Sequence, residues 1–261
     1  MAIDNSDARN ASADFTKLHA IKNQQWKALE KMVDAQPGEK ILDCMGGQGQ
    51  AAEKILNHQP EAVLFVQDRV REAIKKAKNN LNVSHNNLVV GDACKMPFVD
   101  AEFDTVVVKM GVHELPKLQQ VTLFKELFRV LKPDGKLVLW HIFLDDKLQL
   151  TFQAIVRKKD ELGGFTHQVK NRYFPTDAET RSNLQTAGFQ NPDEPYKFTH
   201  TFDLSKRRNE LGGDKKKLKE LQDFVRQNFP DELKDEYVYE EICQNISFQI
   251  QMAIYSIKKA N

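Results

Sequence analysis

A parallel α/β fold is what this sequence predicts, and three observations predict it. Short apolar runs alternate with segments of helical period over the first half of the chain, the pattern of strands joined by helical crossovers. The first such run, Ile41-Leu42, ends at Asp43 and enters a tight glycine-rich turn, Cys44-Met45-Gly46-Gly47-Gln48-Gly49. The later runs at Ala62 to Val66 and Leu88 to Val90 also end in acids, Asp68 and Asp92. Carboxylates at successive strand ends converge on one edge of a parallel sheet.

Taken in order, the elements begin with a helix expected over Phe15 to Val33, with Leu18, Ile21, Trp26, Leu29 and Val33 near one face and Gln36-Pro37-Gly38 ending it. This gives an N-terminal helical segment over 12–36 and a nucleotide-type core over 37–140. A helix starts at about Gln50, and another carries Ala73, Ile74 and Ala77 after Asp68. The fourth run is Thr105 to Val108. A helix with Leu118, Val121, Phe124, Leu127 and Leu131 follows it and stops at Pro133-Asp134-Gly135, ahead of a fifth run at Leu137 to Leu139. From His141 to Thr176 there is an interruption with its own helix and a Gly163-Gly164 break. Near the end, Ile246, Phe248, Ile250, Met252 and Ile254 alternate with polar residues as a strand would. Before it, Ser205 to Gln244 holds Leu218, Leu221, Val225 and Phe229 at helical spacing after Gly212-Gly213-Asp214. These two interruptions, at about 141–176 and 205–244, are read as covers over a substrate; the alternative is that they fill out the fold or form a homodimer contact.

A glycine-rich turn lets a small ligand lie against bare main chain, and the helix after it aims free N–H groups at the same spot. Gly47-Gln48-Gly49-Gln50-Ala51-Ala52 fits the G-x-G-x-x-A pattern of a nicotinamide or flavin site. Asp43 opposes that reading, because a carboxylate there repels a pyrophosphate and favours a cationic group. Asp68, nineteen residues after Gly49, can grip a ribose diol of either cofactor type.

Beyond these, Leu88 to Ala93 with Met96-Pro97-Phe98, then Glu102 to Val108, then Glu126 to Trp140 stand in the order found in class I S-adenosylmethionine (SAM)-dependent methyltransferases, which the chain resembles, and within them the small-molecule group typified by quinone biosynthesis. Asp43, Gly47 and Gly49 match the family's first motif, Asp-x-Gly-x-Gly-x-Gly; Met45 stands where its first glycine is usual. The resemblance implies a Rossmann-like, doubly wound, mostly parallel seven-stranded sheet with helices on both faces. Its last strand is antiparallel and pairs with one near Lys197 to Leu204. It implies SAM as cofactor and S-adenosylhomocysteine (SAH) as product. The cofactor-binding set it implies is Asp43, Met45, Gly46, Gly47, Gly49, Asp68, Arg69, Asp92, Ala93 and Lys109, with the acid after the third strand facing the adenine amino group.

Methyl transfer requires a nucleophile held in line with the S–CH₃ bond, and a base only where the nucleophile must lose a proton. His113, after the fourth strand, occupies the place of a pocket histidine in quinone-type relatives, and His141, after the fifth, is the second catalytic candidate, although a lone histidine is more often structural than catalytic. Glu114 reads as a residue that caps or solvates the helix near Pro116. Phe143, Phe165, His167 and Tyr173 can wall an acceptor pocket or belong to the core. No Asn/Asp-Pro-Pro-Tyr-like motif follows the fourth strand, where the chain reads Lys109-Met110-Gly111-Val112.

With 38 Lys+Arg against 37 Asp+Glu there is no field to attract nucleic acid or an anionic membrane. No apolar stretch is long enough to span a bilayer, and the first ten residues are polar. A cytoplasmic chain acting on a small-molecule acceptor by in-line displacement is therefore expected. Cys44, Cys94 and Cys243 form no metal-ligand spacing, so no metal is expected. Two other classes stay open: a non-catalytic SAM-binding or regulatory protein, and an NAD(P)-binding oxidoreductase.

Overall fold

A computed structural model describes residues 23–81 and 87–259. The central sheet follows the order β3-β2-β1-β4-β5-β8-β6. Its strands are β1 (Lys40–Cys44), β2 (Val63–Asp68), β3 (Leu88–Val90), β4 (Phe103–Lys109), β5 (Leu131–Phe143), β6 (Tyr196–Asp203) and β8 (Asn245–Lys258). An eighth, β7 (Glu240–Ile242), pairs with β8 off this path. From β3 to β5 all pairings are parallel; β8 runs antiparallel between β5 and β6. The expected Rossmann-like sheet is thus seen, with β7 as a short addition.

Sequence-level reasons for the elements are visible. Helix α1 (Asn23–Val33) buries Leu29 and Val33; the expected part of this helix upstream, with Leu18 and Ile21, lies outside the described residues. Helix α2 (Gln50–His58) buries Ala51, Ala52 and Ile55, and α3 (Arg71–Asn80) buries Ala73, Ile74 and Ala77. In α4 (Lys117–Val130), Leu123, Phe124 and Leu127 face the core, whereas Leu118 is 89 % exposed because it lies on the first, outward turn. Asp134 takes φ +62 in a bulge of β5, where the turn at Pro133-Asp134-Gly135 was expected.

Helix α5 (Asp146–Gly163) is capped by Asp145, which accepts from the N–H groups of Lys147 and Leu148, and ends at left-handed Gly164. Short α6 (Thr166–Asn171) follows, then α7 (Asp177–Thr186), which opens on a capping box between Thr176 and Glu179. Helix α8 (Lys215–Asn228), capped by Asp214, buries Leu221 and Val225 and packs on α5. The sheet separates two apolar layers. Trp140, Ile142, Ile250 and Met252 belong to one; Leu139, Ala253 and Tyr255 belong to the other. Among the described residues no helix is long and apolar enough to cross a membrane.

Candidate active site

Three adjacent parallel strands end together, and their last residues build the site. Asp43 stands one residue before the end of β1, Asp68 ends β2 and Lys109 ends β4, where it pairs in register with Trp140 of β5. The turn after β1 is tight: the Gly49 N–H donates to the Gly46 carbonyl at 2.9 Å, and the Gly46 N–H donates to the Gln67 carbonyl at 3.1 Å. Gly46 is required by close approach, since a Cβ there would sit 2.7 Å from the Asp43 carboxylate and 2.9 Å from its carbonyl. Met45 adopts φ +58, the conformation a glycine would take without strain, and its side chain lies over Gly111, where a Cβ would come within 2.8 Å of the Met45 sulfur. The departure from the glycine motif is therefore matched by a glycine on the facing turn.

A cleft of about 140 Å³ opens at these strand ends, lined by Asp43, Met45, Gly46, Gly47, Asp68, Arg69 and Lys109 from the expected cofactor set. Gln48, Gln50, Met110, Gly111, Glu114 and Gln168 border it too, and sequence reasoning missed them. Gly49, Asp92 and Ala93 do not border it. Gly49 is the residue that starts α2, with Leu81 against the place of its missing Cβ. Asp92 turns its carboxylate to the Cys94 N–H at 2.9 Å, and Ala93 is buried in the core beneath.

The two carboxylates are held differently. Asp68 accepts from the Gly47 N–H on one oxygen and the Val70 N–H on the other, both at 2.9 Å, and burial raises its pKa. Asp43 is wholly buried; its Oδ2 accepts from the Ala52 N–H at 3.2 Å while its Oδ1 has no hydrogen-bond partner. Burial pushes the Asp43 carboxyl up to about 7, against the opposing pull of the Ala52 N–H and of nearby Lys109.

Next to the cleft lies a larger cavity of about 510 Å³, which shares Gln50, Lys109 and Met110 with it. Its apolar wall comes from distant segments: Trp26 of α1, Trp140 and Ile142 of β5, Phe152 of α5, Phe198 and Phe202 of β6, Ile250 and Met252 of β8. Phe174 and His113 complete this wall. Its lining also includes the charged Lys159, Arg172, Arg207 and Glu210. These belong to a chain of buried ion pairs: Glu114 with Arg172, Arg172 with Asp160 at 2.8 Å, Asp160 with Lys159 at 2.6 Å, Lys159 with Glu210, and Glu210 with Arg207 at 3.3 Å.

The aromatic residues expected to wall an acceptor pocket are placed elsewhere. Phe143 is the parity partner of His141 on β5 and lies on the opposite side from Trp140 and Ile142, beneath Lys197. Phe165 packs on Gly163 as α5 ends. Tyr173 donates its hydroxyl to Glu179 at 2.7 Å. His167 borders the smaller cleft, where its Nε2 is 2.8 Å from Arg69 Nη2. Of the two catalytic candidates, His113 reaches the larger cavity and His141 borders neither. Instead, His141 is buried against the His113 ring at 5.9 Å, without hydrogen bonds on either ring nitrogen, and burial lowers its pKa to about 3. His141 is thus a neutral packing ring. Glu114 caps no helix, since Pro116 precedes α4; it reaches instead to Arg172.

Residues 41–135 match a family model described as a methyltransferase domain. That span is the segment carrying the glycine turn and all three strand-end residues. Over this segment the chain is similar to the class I SAM-dependent methyltransferases. Among curated relatives it is similar to the ubiquinone/menaquinone biosynthesis C-methyltransferase UbiE of Cereibacter sphaeroides, at 30 % identity over 118 residues, 43 % of this chain and 46 % of the relative. The matched part thus spans about half the length of that relative. It is also similar to the demethylmenaquinone methyltransferase of Staphylococcus carnosus, at 27 % identity over 70 % of this chain and 83 % of the relative. In fold it is similar to a protein of Bacillus halodurans C-125, with a TM-score of 0.76 at 21 % identity, covering 91 % of this chain and all of that one.

The cofactor of this family is SAM, and the methyltransferase site fits it on one structural observation. A buried carboxylate oxygen, Asp43 Oδ1, borders the cleft without a partner, as an acceptor waiting for an ammonium group would. A pyrophosphate in the same place would meet that oxygen as a like charge.

Proposed function

We propose that this chain transfers a methyl group from SAM to a small, largely apolar ring acceptor of the quinol or phenol type, held in the larger cavity. The observation that carries the reading is the shared border of Gln50, Lys109 and Met110, which joins a carboxylate-lined cleft to an aromatic-walled cavity. The names of the relatives, with their ubiquinone and menaquinone precursors, agree with a cavity of that lining. When bound, SAM supplies an electrophilic methyl group on a sulfonium sulfur. Asp43 binds the ammonium end, Asp68 the ribose diol, and Trp26, Trp140 and Phe198 hold the acceptor ring and exclude water. The interruptions at 141–176 and 205–244 act as the acceptor's cover, with Phe152, Arg172 and Phe174 from the first and Lys206, Arg207 and Glu210 from the second. The same reading makes the partner a small molecule rather than nucleic acid and places the chain in the cytoplasm.

The test is transfer of labelled methyl from SAM to a panel of isoprenoid quinols, simple phenols and amines. Label in a quinol or phenol is the expected result. Tight SAH binding with no labelled product from any of these classes would favour a SAM-binding regulator.

Asp43 gives the binding step a pH dependence. Its ionised form receives the ammonium, and its free-state pKa is about 7, so the carboxyl must lose a proton before it binds well. Affinity for SAH is therefore expected to rise by roughly tenfold from about pH 6 to about pH 8, the change in ionised fraction across that pKa. Calorimetry on the native chain and on Asp43→Asn checks this: the variant should bind weakly with a flat profile. A flat profile in the native chain would remove Asp43 from the ammonium site.

A further inference from the structure

We propose that Lys109, as the neutral amine, is the general base that takes the acceptor's proton during methyl transfer. The inference rests on the methyltransferase reading above. Lys109 ends β4 and borders both cavities, so its amine stands where donor and acceptor meet. Among the described residues its Nζ has no hydrogen bond and no ion pair; what surrounds it are the faces of Trp26 and Trp140, at 5.6 and 5.8 Å from their ring centres. The two indole faces attract the ammonium and the residue is half-buried, while desolvation of the amine favours its neutral, basic form. Burial holds its pKa below the ordinary lysine range, and the Asp43 charge opposes this.

Other charged groups bordering the same spaces do not replace it. From α2, Glu53 and Lys54 border the larger cavity, and Lys54 lies 6.0 Å from the Trp26 ring centre. His113, on the turn after β4, stacks at 4.6 Å on Phe174 and has Glu114 at 3.5 Å from its Nε2. Across the cleft, Asp68 is bonded to two backbone N–H groups and Arg69 to His167. Lys159 is paired with Glu210, and Arg172 with Glu114 and Asp160.

The step conserves charge at this junction. As the acceptor X–H gives its electron pair to the methyl carbon, a C–X bond forms and the S–CH₃ bond breaks with its pair returning to sulfur. The proton of X–H passes to Lys109 Nζ. One positive charge disappears from sulfur and one appears on nitrogen about the same place. A sulfonium bound beside Lys109 would keep the amine unprotonated before transfer, and its loss would let Lys109 Nζ hold the proton afterwards.

A binding experiment tests this without turnover. SAM and SAH differ at the sulfur by one charge, so only SAM should drive a proton off Lys109. Calorimetry in buffers of different ionisation enthalpy, across about pH 8.5 to 10 and so above the range of Asp43, should find more protons released with SAM than with SAH. Lys109→Met and Lys109→Arg should both abolish the difference, the first having no proton and the second never losing it. The acidic limb of the kcat profile should vanish in Lys109→Met. Equal proton release for the two ligands in the native chain, or a difference that survives in either variant, overturns the assignment of Lys109 while leaving the methyltransferase reading intact. Failure of both ligands to bind the native chain would overturn the two together.

Discussion

Asp160→Ala is expected to destabilise the chain by about 3–5 kcal/mol, the cost of leaving buried cations without their counter-ion. The Asp160 side chain is 1 % exposed, and its two oxygens meet Lys159 at 2.6 Å and Arg172 at 2.8 Å, both cations themselves 3 % exposed. Glu210 and Glu114 remain as partners of Lys159 and Arg172, but each then balances a pair that was built as an alternating chain. With roughly 2–4 °C lost per kcal/mol in a domain of this size, scanning calorimetry should find Tm lower by roughly 6–20 °C. Asp160→Asn keeps an acceptor for only one of the two donors and turns its amide NH2 toward the other, so it should cost nearly as much as Asp160→Ala. A Tm within about 2 °C of the native chain for Asp160→Ala would mean that water reaches the two cations and solvates them.

The parts of the site that the sequence displayed are those built from local spacing. Asp43, Gly46 and Gly47 share one turn, and Asp68 ends an apolar run, so local spacing carried them to a common edge; Lys109 enters only through the family resemblance. Asp92 looked equivalent because it also follows an apolar run. Yet β3 is only three residues long, and the turn after it folds the Asp92 carboxylate onto the Cys94 N–H. The larger cavity was hidden for a different reason. Its wall joins Trp26, Phe152, Phe198 and Met252, which lie on four elements far apart in the chain, and no spacing rule connects them. Even where the segment was right, parity decided the residue. On β5 the alternation that carries Trp140 and Ile142 to the cavity carries His141 and Phe143 away, so an aromatic or a histidine "after the fifth strand" had an even chance of facing the other layer. The ion-pair chain was equally invisible, because Asp160, Arg172 and Glu210 read on paper as ordinary surface charges. Tertiary packing, not composition, buried them.

Asp68→Ala is expected to weaken SAH binding by about 2–4 kcal/mol, the worth of charge-assisted hydrogen bonds to two ribose hydroxyls left poorly paired. That is roughly a 30- to 900-fold rise in Kd. The carboxylate suits the task because its orientation is fixed before any ligand arrives: the Gly47 N–H holds one oxygen and the Val70 N–H the other. Each oxygen keeps a second lone pair for a hydroxyl. Removing the side chain therefore costs more than two ligand contacts, since it also frees the Gly47 amide inside the glycine turn. Asp68→Asn separates these effects. Its amide oxygen can keep one backbone N–H and one hydroxyl, so its loss should be smaller, and melting of the ligand-free variants should stay close to the native chain because water can enter the cleft and bond the exposed amides. Calorimetric titration of SAH into the three proteins decides the matter. Native-like affinity in Asp68→Ala would take the ribose away from the end of β2, whereas an affinity loss matched by an equal fall in the melting of the ligand-free protein would make Asp68 a brace for the turn and not a ligand.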